Sequence, residues 1–86
     1  VNMSLGWPFA VESELMRALV KIALDKKMIL IASAGNDSTS VPLFPCNYTG
    51  VICVGAHDAY GSFATFSNYG ANVDILAPGT RILSTY

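Results

Sequence analysis

Asn36 is the residue whose type and position most directly suggest chemistry. It stands between Gly35 and Asp37, just past the uninterrupted apolar run from Met28 to Ala34. A side-chain amide placed after a glycine, at the end of a buried strand, can aim an N–H donor into a cleft, where it would stabilise an oxyanion. Taken alone, Gly35-Asn36-Asp37 reads rather as an ordinary turn. Ser4-Leu5-Gly6 ends an earlier apolar segment in the same way. In an open parallel sheet, ligands and catalytic groups collect at the loops leaving the carboxyl ends of the strands, so these two segments mark the candidate site. His57 is the only histidine and a tempting general base, but no carboxylate and serine are identifiably paired with it. It reads as a solvated surface residue. Cys46 and Cys53 flank a Pro/Asn/Tyr/Gly turn region. A disulfide, which suits an oxidising compartment, is the favoured reading, and two buried thiols are the alternative. With one histidine and no Cys-x-x-Cys pair, zinc is disfavoured.

The elements that must hold these groups follow from the apolar spacing. Val1 to Leu5 reads as a short strand closed by the turn residues Gly6 and Pro8. Between Val11 and Lys27, Leu15, Met16, Leu19, Val20 and Ala23 recur at three- and four-residue spacing, with Glu12, Glu14, Arg17, Lys21 and Asp25 on the other face. That pattern predicts a helix, with Glu12 and Glu14 at the positive end of its dipole and Lys26 and Lys27 at the negative end. Met28 to Ala34 reads as a strand buried on both faces, and strand, helix, strand makes a βαβ unit, hence a parallel sheet. Ser38 to Gly50 reads as a loop and Val51 to Ala56 as a second buried strand. Short edge-like strands are expected at Phe63–Phe66, Val73–Leu76 and Arg81–Ser84, separated by Gly, Asn and Pro turns.

Composition removes several function classes. Of 86 residues, 52% are hydrophobic and 13% charged, and five Lys and Arg against six Asp and Glu give a net charge of -1. Without a basic cluster longer than Lys26-Lys27, a nucleic acid or anionic membrane finds no electrostatic footprint. The longest apolar run falls far short of the ~20 residues of a membrane span. So few charges, with apolar residues in short β-branched runs, describe a chain that is buried on several sides. It reads as part of a larger core, with neither end a natural boundary, and it is expected to be partly unfolded or aggregation-prone in isolation.

Four segments occur in order: Asn2-Met3-Ser4-Leu5-Gly6; Ala32-Ser33-Ala34-Gly35-Asn36-Asp37; Val51-Ile52-Cys53-Val54-Gly55-Ala56; and Phe66-Ser67-Asn68-Tyr69-Gly70 leading to Val73-Asp74-Ile75-Leu76-Ala77-Pro78-Gly79. Together they closely resemble the central part of the catalytic domain of subtilisin-like serine proteases, the subtilases or peptidase S8 family. The resemblance runs essentially end to end. It implies an α/β fold, a fragment of a subtilisin-like parallel sheet flanked by helices, with residues 1–86 forming a partial catalytic domain. The complete protein would be a serine endopeptidase working through an acyl-enzyme.

By the same resemblance Asn36 is the oxyanion-hole donor. Ser4, Leu5 and Gly6 match the strand that pairs with the substrate backbone and walls the main specificity pocket, Ser33, Ala34 and Gly35 match the opposite wall, and Asp37 matches the rim. Pro45, after Phe44, matches a position that is typically cis. Asp74, with the carbonyls of Cys46, Tyr48 and Val51, matches a weak cation site whose chemistry suits structural calcium, and a lone turn-capping carboxylate is the competing reading. No cofactor is required for the chemistry. The implied partners are a peptide or protein substrate and the remainder of the same domain, with no nucleic acid and no membrane insertion, at an extracellular or cell-envelope location. The segments carrying the family's catalytic Asp, His and Ser have no counterpart in these residues, so the isolated 86-residue chain is expected to be inactive. The rival readings are an inactive homologue that binds peptide without cutting it, and a nucleotide-binding α/β module. The second is disfavoured because no Gly-x-Gly-x-x-Gly follows a strand.

Overall fold

The structure of the chain, a computed structural model, describes residues 1–8 and 13–85. Strands β1 (Asn2–Met3), β3 (Ile31–Ser33), β5 (Ile52–His57) and β6 (Ile75–Pro78) form one sheet in the order β1-β3-β5-β6. Every neighbouring pair is parallel, with Met3 opposite Ala32, Ala32 opposite Cys53, and Val54 opposite Ile75. Helix α1 (Glu14–Asp25) connects the adjacent parallel strands β1 and β3 by way of the short strand β2 (Trp7–Pro8), which is the expected crossover. Ser13 caps it, accepting the Met16 N–H through Oγ at 3.4 Å, a bond of a kind whose loss costs about 1 kcal/mol. Glu14 stands in the first turn. Lys26 is the C-cap and Lys27 lies beyond it at φ 62°, so neither lysine is in the last helical turn. The expected first helical residues, Val11 and Glu12, lie outside the described residues.

The core fills one face of the sheet. Leu30, Ala32 and Ala34 alternate inward along β3 and its flanks, as do Val51 and Cys53 just before and within β5, and Met16, Val20, Ala23 and Leu24 of α1 join them with Phe44 and Tyr48. The helix therefore buries a narrower stripe than its apolar content suggests, because Leu15 and Leu19 face outward at 69% and 49% exposure. The strands expected to be buried on both faces are covered on one only. Ile52 and Ile75 are exposed and Ile31 half-buried on the opposite face, since α1 is the single helix among the described residues.

Three further expectations change. Trp7-Pro8, read as a turn, and Leu43-Phe44, read as loop, pair as an antiparallel ribbon of β2 (Trp7–Pro8) and β4 (Leu43–Phe44). Phe63–Phe66 makes only an isolated bridge, Phe63 with His57, because the Ser67 N–H turns back to the Ala64 carbonyl. Arg81–Ser84 is not a strand: Arg81 takes φ 55°, which breaks the extended backbone at its first residue. The expected Val73–Leu76 strand begins two residues later, at Ile75, after the Val73 N–H closes a turn on the Gly70 carbonyl.

Of the two readings of the cysteines, the disulfide is the one formed. Cys46 and Cys53 are bonded, with Cα atoms 5.0 Å apart, which ties the segment after β4 to the start of β5. The Phe44-Pro45 peptide bond is cis, as the resemblance implied. Among the described residues no helix is long and apolar enough to cross a membrane.

Candidate functional site

Because β1 and β3 are parallel neighbours, Ser4-Leu5-Gly6 and Ala34-Gly35-Asn36-Asp37 leave the same edge of the sheet side by side. The two candidate segments are thus brought together by topology. Ser4, Leu5 and Gly6 are exposed, and among the described residues their backbone groups make no hydrogen bond within the chain. Such a segment is free to pair with an extended peptide. Ser33, Asn36 and Asp37 are exposed, Gly35 is half-buried and Ala34 buried.

Leu43 of β4 lies between the two segments. A Cβ built on Gly6 would stand 3.7 Å from Leu43 Cδ1, and one on Gly35 would stand 2.6 Å from the same carbon. One methyl group therefore closes the gap between both glycines. No pattern in the residue order signals this contact, because β4 is too short to show a periodicity.

The loop that carries Asn36 has no ladder of its own and is held by residues 65–69. The Asn68 side-chain Nδ2 donates to the Ala34 carbonyl at 2.9 Å, and the Asn68 N–H donates to the Gly35 carbonyl at 2.9 Å. Asn68 Oδ1 accepts from the Asp37 N–H at 2.8 Å and from the Thr39 N–H at 3.3 Å. The Ser38 N–H donates to the Phe66 carbonyl at 3.1 Å, its Oγ donates to the Thr65 carbonyl, and the Tyr69 N–H donates to the Thr39 carbonyl at 3.1 Å. Ala34, Gly35, Asp37, Ser38 and Thr39 are all anchored. Asn36 itself stays outside this network: among the described residues its side chain makes no hydrogen bond, and it is exposed. A rigid loop presenting one unspent amide is an arrangement suited to donating to a developing negative oxygen.

His57 is half-buried rather than solvated, and its Nδ1 lies 2.8 Å from the Asp58 carbonyl. Among the described residues it bonds to no carboxylate or hydroxyl, which leaves it without the partners of a catalytic base. A cavity of about 420 Å³ lies between α1 and residues 44–49, lined by Arg17, Lys21 and Tyr48 among others. None of the candidate site residues except Tyr48 lines it, so it does not belong to the Asn36 edge.

Asp74 has a structural task. Its Oδ2 accepts the Cys53 N–H at 2.8 Å while its own N–H donates to the Cys53 carbonyl at 2.9 Å. The Tyr48 carbonyl likewise already accepts the Val51 N–H at 3.2 Å. A cation held by Asp74 with the carbonyls of Cys46, Tyr48 and Val51 would have to share both groups with these bonds. No cluster of three His, Cys, Asp or Glu side chains able to hold a metal occurs among the described residues.

The conserved-family profile described as the subtilase family, Peptidase S8, matches residues 1–86. The chain belongs to the subtilase family. It is 41% identical over 85 residues to a thermophilic serine proteinase of Bacillus sp. (strain AK1), covering 99% of this chain and 21% of the relative. It is 38% identical over 85 residues to subtilisin BL of Lederbergia lenta, covering 99% of this chain and 31% of that protein. Among solved structures it superposes with a TM-score of 0.80 and 34% identity on the psychrophilic subtilisin-like protease Apa1 of the Antarctic psychrotroph Pseudoalteromonas sp. AS-11, over 90% of this chain and 17% of Apa1. The subtilase segment described here thus spans between a fifth and a third of the length of those two sequence relatives. Its parallel sheet with a crossover helix is the expected α/β fold of the family.

Proposed function

We propose that this chain is the part of a serine endopeptidase that stabilises the oxyanion and positions the peptide, with Asn36 as the side-chain donor. The observation that carries the reading is the loop in which every residue around Asn36 is tied down while its own amide is left free. In peptide hydrolysis a serine oxygen adds to the scissile carbonyl, and the carbonyl oxygen takes up negative charge as the carbon becomes tetrahedral. An Asn36 Nδ2–H aimed at that oxygen gains strength as the charge develops, so its contribution falls on the transition state more than on the bound substrate. Ser4, Leu5 and Gly6 supply unpaired backbone for the substrate strand. Ser33, Ala34 and Gly35 form the facing wall with small side chains, Asp37 stands at the rim, and Leu43 limits the depth between the walls. The Cys46–Cys53 disulfide supports an extracellular or cell-envelope location, where such a bond persists.

The test is Asn36→Ala in the complete protein. The expected result is a fall in kcat of about 10²–10³-fold with KM nearly unchanged, the magnitude known for removing this donor from a subtilisin. An unchanged kcat would remove Asn36 from the chemistry, and peptide binding without hydrolysis by the unaltered protein would make the site a binding surface.

A further inference from the structure

We infer that Asn68 is a positioning residue for the oxyanion donor, an inference that rests on the reading of Asn36 given above. Asn68 and Ser67 are each 3% exposed and are the two buried polar side chains among the described residues. Burying an amide is costly unless its donors and acceptors are met, and Asn68 meets them almost entirely on the Asn36 loop. Its Nδ2 holds the Ala34 carbonyl, its Oδ1 holds the Asp37 and Thr39 N–H groups, and its own N–H holds the Gly35 carbonyl. These contacts fall on both sides of Asn36. One side chain thereby sets the path of the backbone entering and leaving the donor residue.

Ser67 connects that clamp to the sheet. Its Oγ accepts the Ala56 N–H of β5 at 3.0 Å and donates to the Asn68 carbonyl at 2.9 Å. The position of Asn36 is therefore referenced to two strands: to β3 through the chain itself, and to β5 through Ser67 and Asn68. The loop cannot reach such order unaided, because residues 34–39 lack the repeating backbone partners of a helix or strand. Neither aspartate nor alanine reproduces the set. Aspartate keeps the acceptor for Asp37 and Thr39 but has no donor for Ala34 when ionised, and alanine leaves the backbone groups on both sides of Asn36 without partners.

The experiment is a double-mutant cycle in the complete protein, reading kcat and KM on a peptide substrate together with thermal unfolding. Asn68→Ala is expected to lower kcat by about 10–10²-fold, the scale of a donor misplaced by about 1 Å, with KM changed less than about twofold. In an Asn36→Ala background the same substitution should cost little further, because there is no donor left to position. Asn68→Asp, which keeps size and two accepted bonds, should fall between wild type and Asn68→Ala, and it decides the matter if the alanine variant does not fold. An unchanged kcat in Asn68→Asp and Asn68→Ala, or an equal multiplicative loss with and without Asn36, overturns the inference and leaves Asn68 as a core residue. If Asn36→Ala itself has wild-type kcat, the oxyanion reading fails and this inference fails with it, which separates the two outcomes.

Discussion

Gly35→Ala tests the geometry of the site most severely. Gly35 takes φ 107°, a region that L side chains rarely adopt, and a Cβ there would stand 2.5 Å from Asn68 Nδ2 and 2.6 Å from Leu43 Cδ1. Ordinary contact begins near 3.4 Å, so the loop or its neighbours must yield by about 0.9 Å, comparable with the ~1 Å displacement that costs about 10²-fold in rate at an active site. The strained backbone adds ~1–3 kcal/mol. Pushing Asn68 aside leaves buried hydrogen-bonding groups unmet at about 1–3 kcal/mol more. The substitution should therefore destabilise the complete protein by roughly 2–6 kcal/mol and lower kcat by about tenfold or more. Denaturant unfolding of the complete protein gives the first quantity, and initial rates on a chromogenic peptide, measured well below the unfolding transition, give the second. Wild-type kcat together with a loss of stability below about 1 kcal/mol would show that neither Asn68 nor Leu43 is packed against Gly35 as described, and the clamp argument would be refuted.

Two further outcomes are expected from the same geometry. Replacing both Cys46 and Cys53 by alanine removes a crosslink across a sequence separation of 7 and should lower stability by about 2.5 kcal/mol from loop closure alone; an unfolding midpoint equal to that of the wild type would contradict it. Leu43→Ala should open the space between Gly6 and Gly35, so the ratio of kcat/KM for a substrate with a large aromatic side chain at the cleavage position over one with alanine should rise by about tenfold or more, and an unchanged ratio would place Leu43 outside the pocket.

Much of the fold was legible because its signals are local. The three- and four-residue spacing of Met16, Val20 and Ala23 sets the helix, and the apolar runs around Ile31 and Ile52 set two neighbouring parallel strands. The ribbon of Trp7-Pro8 with Leu43-Phe44 was not legible, since two-residue strands carry no periodicity and contain the residues that ordinarily mark turns. Nor could spacing say that Leu15 and Leu19 face outward while Leu24 faces in. Which apolar stripe a helix buries depends on what packs against it.

For the site, the order of residue types determined that an amide follows a glycine at the end of a buried strand, and the matched segments determined the family. Tertiary structure alone decided how the Asn36 loop is held. The partners of its loop come from Asn68, more than thirty residues away in the chain, and the filling of the gap comes from Leu43 on a separate ribbon. Neither could be seen in the sequence, because hydrogen bonds from a side chain to a distant backbone leave no periodic trace: only the packing of β5 against β3 brings the two segments within bonding distance.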